Sequence, residues 1–329
     1  MRHWVILLMA GSLVAAPQQA RAQPLPPPYR IGWISAGSAT ASSDAGVADF
    51  RDGMRDLGFV EGREFVLEYR AANGKVEKLS DLADELTRSK VDVIVASGEP
   101  AAFAIKRATS AIPVVAIEFG VDPVEAGLVA SLRRPEANVT GIASFSEQLW
   151  PKRLDLLRTL SARLSLVAVL WNPANPGNVA CLKEIEAGAR ALGLRVLAAG
   201  VSDGISLERS LAEIGRRSVD GLAICWDPVT LENARAIANF AIRRRVASVA
   251  PVREYVDSGA LLSYGMNLPA HRRRAAYYVT RILKGEKPSE RPVERPNNPG
   301  ETVLNGSTLK ALGLSVPPSL LLQLDDLVN

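Results

Sequence analysis

The sequence predicts an α/β fold: two Rossmann-like lobes with parallel sheets, joined by a hinge. Three observations predict it. Short apolar runs alternate with amphipathic stretches, the mark of βα repeats. The order strand, helix, glycine stop, strand occurs twice, near 31–69 and 167–198. The chain has 329 residues, more than one hydrophobic core usually serves.

The elements follow in order. Ile31–Ile34 reads as a first strand, and Val47, Phe50, Met54 and Leu57 then fall at helical spacing. Gly58 stops that helix as a C′ glycine. Phe65–Tyr69 is a second strand, followed by a helix marked by Val76, Leu79, Ala83 and Leu86. Val91–Ala96 is a third strand, Pro100–Thr109 a short helix and Pro113–Ile117 a fourth strand. The pattern restarts at Leu166–Trp171. A helix carrying Val179, Leu182, Ile185, Ala189 and Leu192 ends at Gly193, and Leu194–Ala198 is the next strand. Leu207, Leu211 and Ile214 mark a further helix, and Asp220–Cys225 a strand. A helix over Thr230–Arg243 then leads to a strand at Val246–Ala250. A late helix, about Arg272–Lys284, has no lobe assigned by pattern.

The first residues point to export. Arg2 and His3 precede an apolar run, Trp4–Ala16, and the small-x-small triplet Ala20-Arg21-Ala22. That is the layout of a cleaved secretory signal. The run is shorter than the 20 or so residues that span a bilayer. Residues 1–22 are therefore expected to be a signal peptide and 23–28, rich in proline, a tether. No cysteine lies near the cleavage site, so no lipid anchor is expected, and the expected location is the periplasm.

Charge says little about partners. The formal net charge is +4, and Arg2 and Arg21 belong to the signal. The runs 243–245 and 272–274, all arginine, read as solvated helix faces rather than nucleic-acid contacts. Cys181 and Cys225 sit in apolar patterns. They fit either a disulfide of an oxidising compartment or two buried thiols.

An enzyme is disfavoured. After the signal the chain holds one histidine, His271, in an arginine-rich stretch with nothing placing it beside a nucleophile. There is no clustered ligand set for a metal, no G-x-G-x-x-G after the first strand and no phosphate loop. No cofactor is expected.

Polar and aromatic residues gather instead at strand ends, where open α/β sheets bind ligands. Ser35 follows the first strand, Ser97-Gly98-Glu99 the third, and Phe119 and Asp122 the fourth. Asn172 and Asp227 hold corresponding places in the second half, followed by Glu254-Tyr255 and Tyr264. Serine hydroxyls and helix N-termini suit a carboxylate. Asp122, Asp227 or Glu254 suits an ammonium group. Trp33, Phe119, Trp171, Trp226, Tyr255 and Tyr264 offer apolar walls. Each loop also has a plainer use: Ser97 as a helix cap, Asp122-Pro123 and Asp227-Pro228 as N-cap and N1 pairs.

The chain resembles the tryptophan/tyrosine-type ABC transporter substrate-binding proteins, of the type I periplasmic-binding-protein fold. The resemblance rests on the stretches 50–62 (FRDGMRDLGFVEG), 122–129 (DPVEAGLV), 138–141 (NVTG), 172–176 (NPANP), 259–265 (GALLSYG), 282–288 (ILKGEKP) and 311–321 (ALGLSVPPSLL). It implies two lobes joined by three crossovers. The first lobe is expected at 29–142 with 267–295 returning to it, and the second at 143–266 with 296–329 packed on it. It also implies a small polar solute, an amino acid or related molecule, held between the lobes and delivered to an ABC permease by a monomer. A sensory protein of the same fold, signalling through a membrane partner, is the alternative. The family's ligand loops map onto Ser35, Ser97, Asp122, Asn172, Asp227 and Tyr264. Glu99 departs from the family pattern, standing where many relatives carry a small or hydroxyl residue. Facing the cleft, it would disfavour a simple carboxylate.

Overall fold

The computed structural model describes residues 28–37, 41–296 and 300–329. The expected signal peptide lies outside them.

The first sheet holds β1 (Tyr29–Ser35), β2 (Phe65–Ala71), β3 (Val93–Ser97), β4 (Val114–Phe119) and β5 (Val139–Ala143). Its five strands run parallel in the order β2-β1-β3-β4-β5. β3, β4 and β5 are buried along their whole length, as continuous apolar strands covered on both faces should be. The helices are α1 (Ala41–Asp56), α2 (Leu79–Arg88) and α3 (Glu99–Ala108). Leu79, Ala83 and Leu86 of α2 join Ala101, Ala102 and Ile105 of α3 against Ile34, Ile94 and Ala96. The other face packs Val47, Phe50 and Met54 of α1 against Trp33, Val93 and Val95.

The second half begins with α4 (Trp150–Leu160), then β6 (Leu166–Trp171), α5 (Pro176–Ala191), β7 (Arg195–Gly200) and α6 (Gly204–Gly215). It continues with β8 (Gly221–Ile224), α7 (Pro228–Glu232), α8 (Ala234–Arg244), β9 (Ala247–Val252), α9 (Arg253–Asp257) and β10 (Leu262–Met266). After α10 (Leu268–Leu283) come β11 (Glu301–Asn305), α11 (Gly306–Leu312), α12 (Pro318–Leu321) and β12 (Asp326–Val328). The sheet order is β12-β11-β10-β9-β8-β6-β7. Its run β7-β6-β8-β9-β10 repeats the first sheet's order, and β11 is added antiparallel to β10.

α10 leaves the second sheet and returns to the first. Ala275, Ala276 and Val279 share a core with Phe50 and Met54. At Gly53 of α1 an added Cβ would lie 2.9 Å from the Arg273 carbonyl oxygen, so the two helices meet backbone to backbone.

Three passages join the two sheets: after β5, between β10 and α10, and between Glu294, which bridges to Ile142, and β11. Arg153 of α4, fully buried, ties the first two together. Its Nη1 and Nη2 donate to the Ser146 carbonyl and hydroxyl at 2.8 and 2.6 Å, and its Nε to the Tyr264 carbonyl at 2.6 Å. Burial lowers Arg153 to about 10, which leaves it charged at neutral pH. Gly265 has φ +153°, and a Cβ there would lie 2.6 Å from Arg153 Nη2. Only glycine lets the second passage run this close.

Several local readings change. The stretch expected as one helix over Thr230–Arg243 is two, α7 and α8, parted at Asn233. The Asn233 side chain donates to the Val229 carbonyl at 2.8 Å, a local bond that competes with continuous helix. Residues 253–255 form α9 rather than a loop, and Ser263, Tyr264 and Gly265 lie inside β10. Cys181 of α5 and Cys225 are joined as a disulfide, with Cα atoms 6.2 Å apart.

Candidate functional site

Each sheet reverses its winding once. In the first the reversal lies between β1 and β3, in the second between β6 and β8. Ligands of open α/β sheets bind outside the carboxyl ends of strands at such points. Here the two reversals face one another across a single cleft. Trp33, Ser35, Tyr69, Ser97, Glu118 and Arg272 line one side, and Trp226, Pro228, Leu231 and Glu232 the other.

On the first side, Ser35 and Ser97 are register partners at the ends of β1 and β3. Ser97 Oγ donates to Glu118 Oε2 at 2.5 Å, and Ser35 Oγ accepts from the Gly37 N–H at 3.0 Å. Glu118 takes φ +55° near the end of β4, where the register with β5 shifts. A non-glycine residue in that region is a local cost that surrounding contacts must hold in place. Arg272 supplies one, donating from Nε to Glu118 Oε1 at 2.6 Å, with Nη1 3.5 Å from Asp49. Glu118 and Arg272 are thus a buried ion pair at the cleft wall, with side chains 2 % and 13 % exposed.

The second side is built differently. Asp227 is buried and fully engaged. It accepts from Asn172 Nδ2 at 3.1 Å, Asn175 Nδ2 at 3.0 Å and the Val229 N–H at 2.9 Å, capping α7. Burial pushes its carboxyl up, and these hydrogen bonds pull it back. Asn178 braces the same corner, accepting from the Asn172 N–H and donating to the Trp226 carbonyl. The result is a stiff wall that presents Trp226. Its ring reaches the other lobe: a Cβ on Gly98 would stand 3.3 Å from Trp226 Cζ3. Gly98 has φ +83°, so glycine is favoured there twice over. The Trp226 indole N–H is buried without a partner among the described residues.

Of the residues singled out in the sequence, Ser35 and Ser97 line the cleft, and Gly98 packs at its edge. Asn172 and Asp227 form the corner behind Trp226. Phe119 is buried in the first core, its ring 5.9 Å from Phe103. Tyr255 is buried in the second, sharing a 2.7 Å hydrogen bond with Thr230. Tyr264 gives its carbonyl to Arg153 in the hinge. Glu254 lies in the first turn of α9, and burial pushes its carboxyl up to about 7. Asp122 caps a turn, accepting from the Val124 N–H at 2.7 Å. Glu99 lies beside these cleft-lining residues, also between the two halves. It turns into a separate groove between Phe103, Val121 and the first turn of α5.

Sequence reasoning missed Tyr69, Glu232 and, above all, Arg272, which had been read with a solvated run. Arg273 and Arg274 do stay at the surface, but α10 turns Arg272 onto Glu118. No sequence signal separates the three without knowing that α10 returns to the first sheet. His271 is buried, and burial lowers it. Among the described residues no group of histidine, cysteine and carboxylates could hold a metal, and no helix is long and apolar enough to cross a membrane.

Two matched sheets that face one cleft across a three-passage hinge define a binding protein of the type I periplasmic class. The chain belongs to the family described as ABC transporter substrate binding protein, which matches residues 38–328. The family is one of solute-binding proteins, not enzymes. A tyrosine-binding protein from Clostridioides difficile is 24 % identical over 273 residues, covering 83 % of this chain and 78 % of that one. Among solved structures, the ABC domain from Streptococcus pneumonia in complex with L-Trp superposes with a TM-score of 0.81. It is 21 % identical and covers 91 % of this chain and 99 % of its own. A ligand-free, open substrate-binding protein from Clostridium difficile gives 0.62 at 23 % identity, covering 92 % and 99 %.

Proposed function

We propose that this protein is an extracytoplasmic receptor that captures a small amino acid or closely related solute in the interlobe cleft and delivers it to an ABC permease. The observation that carries the reading is a cleft between two facing strand ends that combines hydroxyls and a buried ion pair with aromatic rings from both lobes. The first lobe offers hydroxyls and the Glu118–Arg272 pair, suited to the ammonium and carboxylate of an amino acid. Trp33, Tyr69 and Trp226 offer flat apolar surface, suited to a planar side chain. The tyrosine and L-Trp named for the relatives are therefore the first candidates. The layout of residues 1–22 supports export, since a receptor of this kind works outside the cytoplasm. A solute touching both lobes favours the closed arrangement by its differential contacts.

The test is thermal unfolding across a panel of amino acids and small organic acids. A true ligand at a hundredfold excess over its Kd adds about 2.7 kcal/mol and raises the melting temperature. No shift with any member of the panel would remove the proposal.

A further inference from the structure

Glu99 sits in a groove between the lobes, beside the cleft lined by Ser35, Ser97 and Trp226. It lies in the first lobe at the start of α3, yet the second lobe covers it. A Cβ built on Gly177, in the first turn of α5, would stand 2.7 Å from Glu99 Cδ and 2.8 Å from Oε2. Gly177 belongs to α5 of the second lobe and Glu99 to α3 of the first, so the contact needs the lobes together. The carboxyl is 3 % exposed, and its Oε1 accepts from the Gly120 N–H at 2.6 Å.

A second carboxyl crowds the same spot from the hinge. Glu147 lies in the 3₁₀ turn 146–149 and is 7 % exposed. A Cβ on Gly120 would sit 2.7 Å from Glu147 Oε1 and 3.4 Å from Glu99 Oε1. Trp150 Nε1 donates to the other oxygen of Glu147 at 2.9 Å. The charged groups around the pair are mostly acidic. Asp122 and Glu125 share the groove with Glu99, and Glu184 of α5 faces Glu147. Arg153 is the basic group acting on Glu147, and its donors are directed to Ser146 and Tyr264. Two like charges held this close in a dry interface are costly, and one proton relieves the cost.

We propose that closure of the lobes over the solute takes up one proton at the Glu99–Glu147 carboxyl pair, so that capture is tighter in acid than at neutral pH. This rests on the reading of the cleft as a solute receptor. In the closed arrangement, burial first and the Glu147 charge second push Glu99 up to about 7 from an ordinary 4.5. Opening withdraws α5 and returns the carboxyl to water. A carboxyl raised in the closed state favours that state fully below the ordinary value. The advantage is lost as pH rises through the raised value. The sensitive window is therefore between 4.5 and about 7. Within it one proton changes affinity by up to about tenfold per pH unit.

The experiment is calorimetric titration of the full chain with L-tryptophan and with L-tyrosine, neither of which titrates in this window, at steps from pH 5 to pH 7.5. The native protein is expected to lose affinity by about tenfold or more across the series. Titrations in buffers of different ionisation enthalpy are expected to show proton uptake on binding. Glu99→Gln, which keeps the shape and the acceptor oxygen, is expected to bind with a flat profile. A flat native profile, or a slope that survives in both Glu99→Gln and Glu147→Gln, overturns the proposal alone. Binding of neither amino acid at any pH overturns the reading of the cleft for such solutes, and this proposal with it.

Discussion

The two lobes share one strand order, yet their corresponding strand ends do opposite work. At the first, Ser35, Ser97, Glu118 and Arg272 hold their polar atoms at the cleft wall. At the second, Asn172, Asn175, Asn178 and Asp227 bond one another and the α7 cap behind Trp226, which faces across with Pro228, Leu231 and Glu232. The same topology therefore supplies a recognition surface in one lobe and a rigid wall in the other. Polar atoms are engaged on both sides, Ser97 and Arg272 on Glu118 and the asparagines on Asp227, so the ends differ in which of these groups line the cleft.

The contrast can be broken at several points. The largest effect is expected at the disulfide, which pins α5 to the end of β8 beneath the wall. By loop-closure entropy, a bridge across a sequence separation of 44 stabilises by about 4 kcal/mol. Cys181→Ser with Cys225→Ser should lower the urea midpoint accordingly, and an unchanged midpoint would show that the wall does not depend on it. Asp227→Ala comes next. It leaves two asparagine amides and one backbone N–H without their buried acceptor, a loss of about 3 kcal/mol of stability. A variant that folds as well as the native protein but binds solute poorly would place Asp227 in direct ligand contact instead. Ser97→Ala comes last. Stability should fall by about 1 kcal/mol, less than for Asp227→Ala, while solute affinity falls by about fivefold as Glu118 loses its hydroxyl donor. A large loss of stability there would erase the difference between the lobes.

Much of this architecture can be read from the chain. The βα alternation, and the glycine stops at Gly58 and Gly193, both with positive φ, mark each repeat without ambiguity. What escaped was short, non-local or two-sided. β5 and β10 are five residues each and contain glycine, so Ser263, Tyr264 and Gly265 pass for a loop. Arg272 comes to Glu118 from 154 positions away, by a return of the chain that no local period reports. Asp227 was visible both as a cap and as a ligand residue, and its three bonded donors show the cap. Glu99 was legible as an exception, but its direction depended on where α5 of the other lobe would lie.

The most direct measurement is a crystal structure of the protein grown with the solute that shifts its melting temperature most. The predicted result is ligand density between Ser97 and Trp226, with its polar end on Glu118 and Arg272 and its flat part against Trp33. Density elsewhere on the molecule, with this cleft closed and filled by its own side chains, would contradict the assignment.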